Sequence, residues 1–373
     1  MKRTISVKLQ VTPQQSQLLS DLQETFSHVC NEIAEKAWEK KESNRVRLHH
    51  LAYRSVRAEF PQLGSQMACN AIAKVAQNFT AIKRSRKIVF KRHSSVHFDK
   101  RTYSLKNAIL SLYTLNKRIQ IPFEPGTFQQ AYLEKGVVKE AELIRRGKNW
   151  FFNVVLDLPD PVPLEKGKAM AVDFGENVIA ATSSGKLIQG GTLRCRRDAF
   201  LAHRSRLQRN GSQSAKRRLR KVSGREARHV RHTNHCVAKA IVSEAKKLGC
   251  STIVLEDLTN IRKRIRAGKR TRSRLHRWPF SQLRSFVEYK AHAEGIAVSY
   301  VNPAYTSKTC SKCFSLGHRQ KHLFECPCCG SRAHADLNAS HNLLWLALSA
   351  ERATGTVNYQ YVAASCGQQS FRL

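Results

Sequence analysis

Two cysteine pairs stand twelve residues apart in CSKCFSLGHRQKHLFECPCCG (residues 310–330), and this spacing constrains the chain more than any other feature. Cys310-x₂-Cys313-x₁₂-Cys326-x₂-Cys329 is zinc-ribbon spacing, and four thiolates suit a closed tetrahedral Zn²⁺. A full tetrahedron leaves no position open to a substrate, so the expected zinc is scaffold rather than catalyst. Gly330 favours the turn that the second knuckle needs, whereas Phe314 holds the matching place in the first, where glycine is easier. Cys328 is a spare thiol that competes with Cys329, and His318, His322 and His334 are substitute ligands that four cysteines make unnecessary. The chain carries eleven cysteines, an odd number, with no apolar run behind its basic N-terminus. Metal ligation in a reducing, cytoplasmic compartment is therefore expected, and not a disulfide framework.

Charge supplies the next constraint. Sixty-five Lys and Arg against 27 acids give a formal net charge of +38. Such an excess repels itself in a compact state unless a polyanion neutralises it. A ribosomal-type structural protein or a membrane-surface binder shares the charge, but neither explains acids placed at the ends of apolar strands. Nucleic acid is the expected partner. No apolar stretch approaches the roughly 18 residues of a membrane span, so no membrane role is expected.

Along the chain, ISVKLQV alternates with period two and predicts a strand over 4–11. Thr12-Pro13 predicts a helix N-cap with proline at N1, opening a helix to about Trp38. Further helical spacing runs over 47–82, broken near Pro61 and Gly64, so 12–85 is a helical insertion. From Lys87 the texture changes to short β-type runs, IVF, VHF, YSL, ILSLY, RIQIPF, VVKEAELIRR and WFFNVVLDL, which predict an all-β, barrel-like module over 1–11 and 86–158. PDPVPLEKG (159–167) is a linker. The strands AMAVDF, VIAAT and KLIQGG follow, then a basic helical region (192–248), the buried strand STIVLE, a helix near 280–294, the strand IAVSYV, the cysteines, and a helix from Asp336 to about Ala350.

Three acids sit where apolar elements end or begin: Asp173 ends AMAVD, Glu256 ends STIVLE, and Asp336 opens the last helix. Acids are seldom buried unless paired or bound to metal. Any one of them alone reads more simply as a cap or turn former, as Asp257 does. Three in this order read as a catalytic set. Two Mg²⁺ ions roughly 4 Å apart, or Mn²⁺, would relieve their repulsion and hold the attacking water and leaving oxygen of a phosphodiester. The order of strands and helices is that of an RNase H-like α/β fold, which builds its metal site this way.

VDFG, LEDL, YTSKTCSKC, FECPCCG and HADLNASHN, in this order and spacing, resemble the TnpB proteins of insertion sequences. That family consists of RNA-guided DNA endonucleases related to compact type V CRISPR effectors. The resemblance is strong over 165–345 and looser before it. It implies a RuvC-like nuclease domain (168–303) with an inserted zinc ribbon (304–335), a closing helix (336–350) and a tail (351–373), preceded by a β-barrel wedge domain that carries the helical insertion. Asp173, Glu256 and Asp336 fall on the family's catalytic triad, and Cys310, Cys313, Cys326 and Cys329 on its zinc ribbon. Phe314 stands where the family commonly has Gly, and Ala335 where a basic residue is more usual. Neither change removes a metal ligand. The partners implied are a guide RNA from the chain's own element and double-stranded target DNA, in a bacterial or archaeal cytoplasm and at the nucleoid when DNA is bound.

Two basic runs flank the Glu256 strand: 194–231 holds fourteen Lys/Arg with two acids, and 261–277 holds nine with none. A single run is ordinarily a solvated face. As a pair they are expected to contact the backbones of a heteroduplex and a displaced strand. Trp38, Trp150, Trp278 and Trp345 are expected in the core, Trp278 being the one to test for base stacking. The rival readings are a compact CRISPR effector, a guide-directed repressor that does not cut, and a plain transposase acting without RNA.

Overall fold

The computed structural model describes residues 1–83, 85–165, 167–258 and 280–354, and it divides into two units, Met1–Asp160 and Pro161 onward. In the first unit a strand β1 (Lys2–Lys8) leads into three helices, α1 (Pro13–Glu39), α2 (Arg45–Glu59) and α3 (Ser65–Ala81). Thr12 caps α1 in a capping box, its hydroxyl accepting from the Gln15 N–H while the Gln15 side chain accepts from the Thr12 N–H. Six more strands follow: β2 (Val96–Phe98), β3 (Tyr103–Lys106), β4 (Ile109–Tyr113), β5 (Arg118–Pro122), β6 (Val137–Arg146) and β7 (Asn149–Asp157), with a helix α4 (Thr127–Lys135) between β5 and β6. They form two antiparallel sheets, ordered β1-β7-β6-β2 and β3-β4-β5, over one core that also takes the inner faces of α1 to α3.

Two local expectations fail in this unit. IVF (88–90) is not a strand: Asn31 on α1 both donates to the Phe90 carbonyl (3.0 Å) and accepts its N–H (2.7 Å), so a side chain replaces a ladder. Helix α4 was not expected, and it buries none of its residues, so no apolar periodicity marked it.

The second unit is built on a five-stranded sheet, β10-β9-β8-β11-β12. Its strands are β8 (Lys168–Asp173), β9 (Val178–Thr182), β10 (Leu187–Gln189), β11 (Cys250–Glu256) and β12 (Ala297–Val301). Strands β8, β11 and β12 run parallel, while β9 is antiparallel to β8 and β10 antiparallel to β9. Every residue of β11 is buried, which is why it reads as an unbroken apolar run rather than an alternation. The basic region 192–248 is two helices, α5 (Gly191–Asn210) and α6 (Gln213–Lys247). Gly211 stops α5 in a left-handed C-cap at φ 66°, and Ser212 caps α6. Leu193 is the one fully buried residue of α5, whose basic side chains are half-buried or exposed. The run 261–277 and Trp278 lie outside the described residues.

Helix α7 (Phe280–Ala293) precedes β12. A small antiparallel sheet, β13 (His318–Gln320), β14 (Leu323–Glu325) and β15 (Arg332–His334), then leads into α8 (Ala335–Thr354). Leu343 and Ala347 of α8 pack on Ala171 of β8 and Val254 of β11. Of the described tryptophans only Trp150 is in a core; Trp38 and Trp345 are 40% and 44% exposed, contrary to expectation. Among the described residues, no helix is long and apolar enough to cross a membrane.

Candidate active site and cysteine cluster

Parallel pairing of β8 with β11 sets Val172 opposite Leu255, so the next residue on each strand, Asp173 and Glu256, ends at the same edge of the sheet. Asp336 joins them from the first turn of α8, where the helix dipole favours a carboxylate. Glu256 and Asp336 are buried, at 7% and 8% exposure, and Asp173 is half-buried. The three acids expected from the sequence therefore come within one another's electrostatic reach.

Their electrostatics are under strain. Burial first, then a hydrogen bond to Glu256 and the negative fields of Glu256 and Asp336, hold the Asp173 carboxyl well above the usual carboxylate range; Arg319 pulls the other way. The Phe174 N–H donates to Glu256 Oε1 at 3.1 Å, and Arg319 donates to Asp336 Oδ1 at 2.7 Å. An all-oxygen donor set with more negative charge than its neighbours offset fits a hard divalent cation.

Arg319 was not singled out from the sequence. It lies on β13, inside the cysteine insertion, and nothing local marks it among so many arginines. With Arg194, Lys321, His322 and His334 it lines a cleft of about 440 Å³ that reaches Asp336. The cleft thus places cations beside Asp336.

The cysteine cluster is gathered more tightly than the acids. The sulfurs of Cys310, Cys313, Cys326 and Cys329 all lie within 4.8 Å of one another. Cys310 and Cys329 are 3.7 Å apart, and Cys313 and Cys326 are 3.4 Å apart. Tetrahedral Zn–S bonds of about 2.3 Å put sulfurs roughly 3.8 Å apart, so the four fit one Zn²⁺. Cys328 is exposed and outside the set, and the three histidines do not enter it. Burial pushes the Cys313 thiol up, but Ser315, through its N–H and hydroxyl, and the sulfurs of Cys326 and Cys329 outweigh this and bring it to about 6. At Cys329 the Ser331 N–H pulls down while the neighbouring sulfurs push up, to about 12.

The knuckles are built alike. The Phe314 N–H reaches the Cys310 carbonyl at 2.9 Å and the Gly330 N–H reaches the Cys326 carbonyl at 3.0 Å. Both residues are left-handed, at φ 62° and 68°. Phe314 thus adopts a conformation that suits glycine, as the sequence comparison of the two knuckles anticipated.

Two stretches match family models: residues 153–262 match the probable transposase OrfB_IS605, and residues 280–343 match the Cas12f1-like TNB domain. A TnpB-like protein of Methanocaldococcus jannaschii is 42% identical over 127 residues, 34% of this chain and 45% of that protein. The CRISPR-associated endodeoxyribonuclease Cas12f1 of Sulfoacidibacillus thermotolerans is 31% identical over 218 residues, 53% of this chain and 50% of that protein. The matches span about half the length of these curated relatives. A solved Cas12f1–sgRNA–target DNA complex shares the fold with a TM-score of 0.65, covering 89% of this chain and 83% of that one at 16% identity. Both family models fall on the stretches that carry the acids and the cysteines, and over these stretches the chain is similar to TnpB-like proteins.

Proposed function

We propose that the chain is an RNA-guided DNA endonuclease of a transposable element, hydrolysing phosphodiester bonds at an RuvC-like site. The observation that carries this reading is the meeting of Asp173, Glu256 and Asp336 from two parallel strands and one helix, in a chain of net charge +38. Asp173, Glu256 and Asp336 would hold Mg²⁺, which when bound supplies the positive charge that activates water and stabilises the leaving oxygen. Cys310, Cys313, Cys326 and Cys329 would hold a structural Zn²⁺. The parallel sheet with α8 across it supports an RNase H-like reading of 168–303 with a ribbon at 304–335 and a closing helix at 336–350. The sheets over 1–11 and 86–158 would be the wedge module, with 12–85 its helical insertion and 159–167 the linker.

The chain's own groups have separable tasks in this reading. The Phe174 N–H orients Glu256, and Arg319 orients Asp336. Arg194, Arg319 and Lys321 attract a phosphate backbone into the cleft. The helices α5 and α6 carry the basic side chains of 194–231 and would follow a guide–target heteroduplex by its shape, while base pairing reads sequence.

Co-expression with the flanking DNA of its own locus, followed by sequencing of the co-purifying RNA, tests the reading. A discrete RNA with a variable end is expected, and cleavage of a matching duplex should vanish in Asp173→Ala while binding persists. Random cellular fragments, or residual cutting at the wild-type rate, would overturn it. The Cas12f1 match over 53% of the chain favours a second reading, a compact CRISPR effector with the same chemistry. Repeat-derived RNA from an array would distinguish that reading.

A further inference from the structure

Helix α8 is gripped on two sides. Leu343 and Ala347 seat it on the sheet that carries Asp173 and Glu256. Asn338, Asn342 and Trp345, spaced i, i+4 and i+7, line another face. That face holds the first cysteine knuckle. Asn338 Nδ2 donates to the Thr309 carbonyl at 2.7 Å and Asn338 Oδ1 accepts the Ser311 N–H at 2.9 Å, so one side chain brackets Cys310. Asn342 Nδ2 donates to the carbonyls of Thr306 (2.8 Å) and Thr309 (2.7 Å). Trp345 packs on Phe314 with ring centroids 4.4 Å apart. Asn338 and Asn342 are buried, at 2% and 4% exposure, and their described side-chain hydrogen bonds go to the knuckle backbone.

The first turn of the same helix touches the cluster itself. Ala335 is fully buried against Cys310, Phe324 and Cys326, and its N–H donates to the His322 carbonyl at 2.8 Å. The next residue is Asp336, which Arg319 of the ribbon also holds. A basic side chain at 335 would not fit this contact. The cysteine knuckle and the carboxylate of Asp336 are therefore borne by one short stretch of helix, and a shift of either end moves the other.

We propose that Asn338, assisted by Asn342, is a positioning residue that couples the metal of the cysteine cluster to the carboxylate of Asp336, so that filling either site tightens the other. The proposal rests on the reading of Asp173, Glu256 and Asp336 as a metal-holding triad. Coupling between two sites is reciprocal, so it is measurable at the zinc without measuring cleavage.

The test follows zinc loss from the full-length, RNA-bound protein to a zinc-selective chromogenic chelator, with and without excess Mg²⁺. In the wild type, Mg²⁺ should slow zinc loss by about fivefold or more, the lower end of ordinary site–site coupling. In Asp173→Ala, which lacks part of the triad, Mg²⁺ should have no such effect. In Asn338→Ala the Mg²⁺ effect should disappear although zinc is bound at the start and the triad is intact. Asn338→Asp keeps the acceptor for Ser311 and loses the donor to Thr309, so it should retain part of the effect; it carries the test if the alanine variant does not fold. An undiminished Mg²⁺ effect in both Asn338 variants overturns the coupling and leaves the triad reading standing. No Mg²⁺ effect in the wild type also overturns the coupling, and Mg²⁺-dependent cleavage by the same preparation then decides the triad separately. A Mg²⁺ effect that persists in Asp173→Ala assigns the ion to another site, such as bound RNA, and overturns the proposal.

Discussion

The four cysteines lie within residues 310–329, whereas the acids come from Asp173, Glu256 and Asp336, on three separate elements. Both clusters crowd negative charge, and they bear it differently. The thiols are supported locally: the Lys312 N–H donates to Cys310 Sγ at 3.4 Å, and backbone turns close both knuckles. The acids are held from other elements, Glu256 by the Phe174 N–H and Asp336 by Arg319 of the ribbon. They are forced together by the parallel pairing of β8 and β11 and by the packing of α8, and Asp173 is driven towards its protonated form. A site whose ligands are neighbours in sequence strengthens its own fold when metal binds. A site assembled by tertiary packing stores repulsion that the rest of the domain must outweigh. The cysteine cluster should therefore fail structurally when a ligand is removed, and the acid cluster should fail chemically while the fold gains.

The largest effect expected is on cleavage. Asp173→Ala removes a ligand of transition-state charge stabilisation worth several kcal/mol, so the cleavage rate should fall by about a thousandfold or more. The affinity of the guided complex for its target should be unchanged, as read by a gel-shift titration. A rate within tenfold of wild type would remove Asp173 from the catalytic set.

Cys326→Ser tests the other side of the comparison. Cys326 is buried, and its sulfur is 3.4 Å from that of Cys313. Zinc content should fall to background and the ribbon should become sensitive to proteolysis. Cleavage should fall about tenfold through the displaced Asp336, with a magnitude typical of supporting-shell changes. Full zinc content with unchanged protease resistance would show that the four sulfurs are not a metal site.

How each cluster could be read beforehand follows from the same contrast. The cysteines announce themselves because ligand spacing is a local property of a turn. The acids were legible only because strands end in them and their order matches a sheet, and the meeting itself depends on register. Arg319, Asn338 and Asn342 were invisible for a physical reason: each acts through a partner on another element, and arginine and asparagine are unremarkable residues in a basic, turn-rich insertion. The pairing of 338 with 342 at helical spacing directly after Asp336 was the one available signal, since buried asparagines on a helix must have partners. The same logic explains the misread IVF segment, whose ladder is replaced by the Asn31 side chain. It also explains α4, which has no buried face to leave a pattern. The exposure of Trp345 was misjudged because its partner, Phe314, belongs to the knuckle and not to the sheet core.

A smaller effect concerns stability without metal. Asp173 titrates higher in the folded chain than the usual carboxylate value near 4, chiefly through burial and then through Glu256. The unfolded chain therefore gives up this proton at lower pH than the folded one. Asp173 thus destabilises the fold progressively as pH rises above about 4 towards its folded value. In EDTA at neutral pH, Asp173→Asn should melt higher than wild type, and the difference should shrink as pH falls towards 4. Mg²⁺ should reverse the order by stabilising the wild type alone. A lower melting temperature for Asp173→Asn at every pH would mean that the acids are held by attraction, and the contrast with the cysteines would collapse.

The smallest effect separates the two knuckles from each other. Phe314 and Gly330 occupy equivalent left-handed turns, at φ 62° and 68°. A non-glycine residue held in such a region costs on the order of 1 kcal/mol, which Phe314→Gly would relieve. The same change removes the ring that packs on Trp345, a contact worth about 0.5–1.5 kcal/mol. The two terms oppose each other, so the variant should keep its zinc and melt within about 3 °C of wild type. The balance is made visible by a second change: Trp345→Ala should cost clearly less in the Phe314→Gly background than in the wild type, because the ring pair is already lost. Equal costs in both backgrounds would mean that Trp345 is held by other neighbours. The first knuckle would then tolerate its phenylalanine for a reason that does not involve α8.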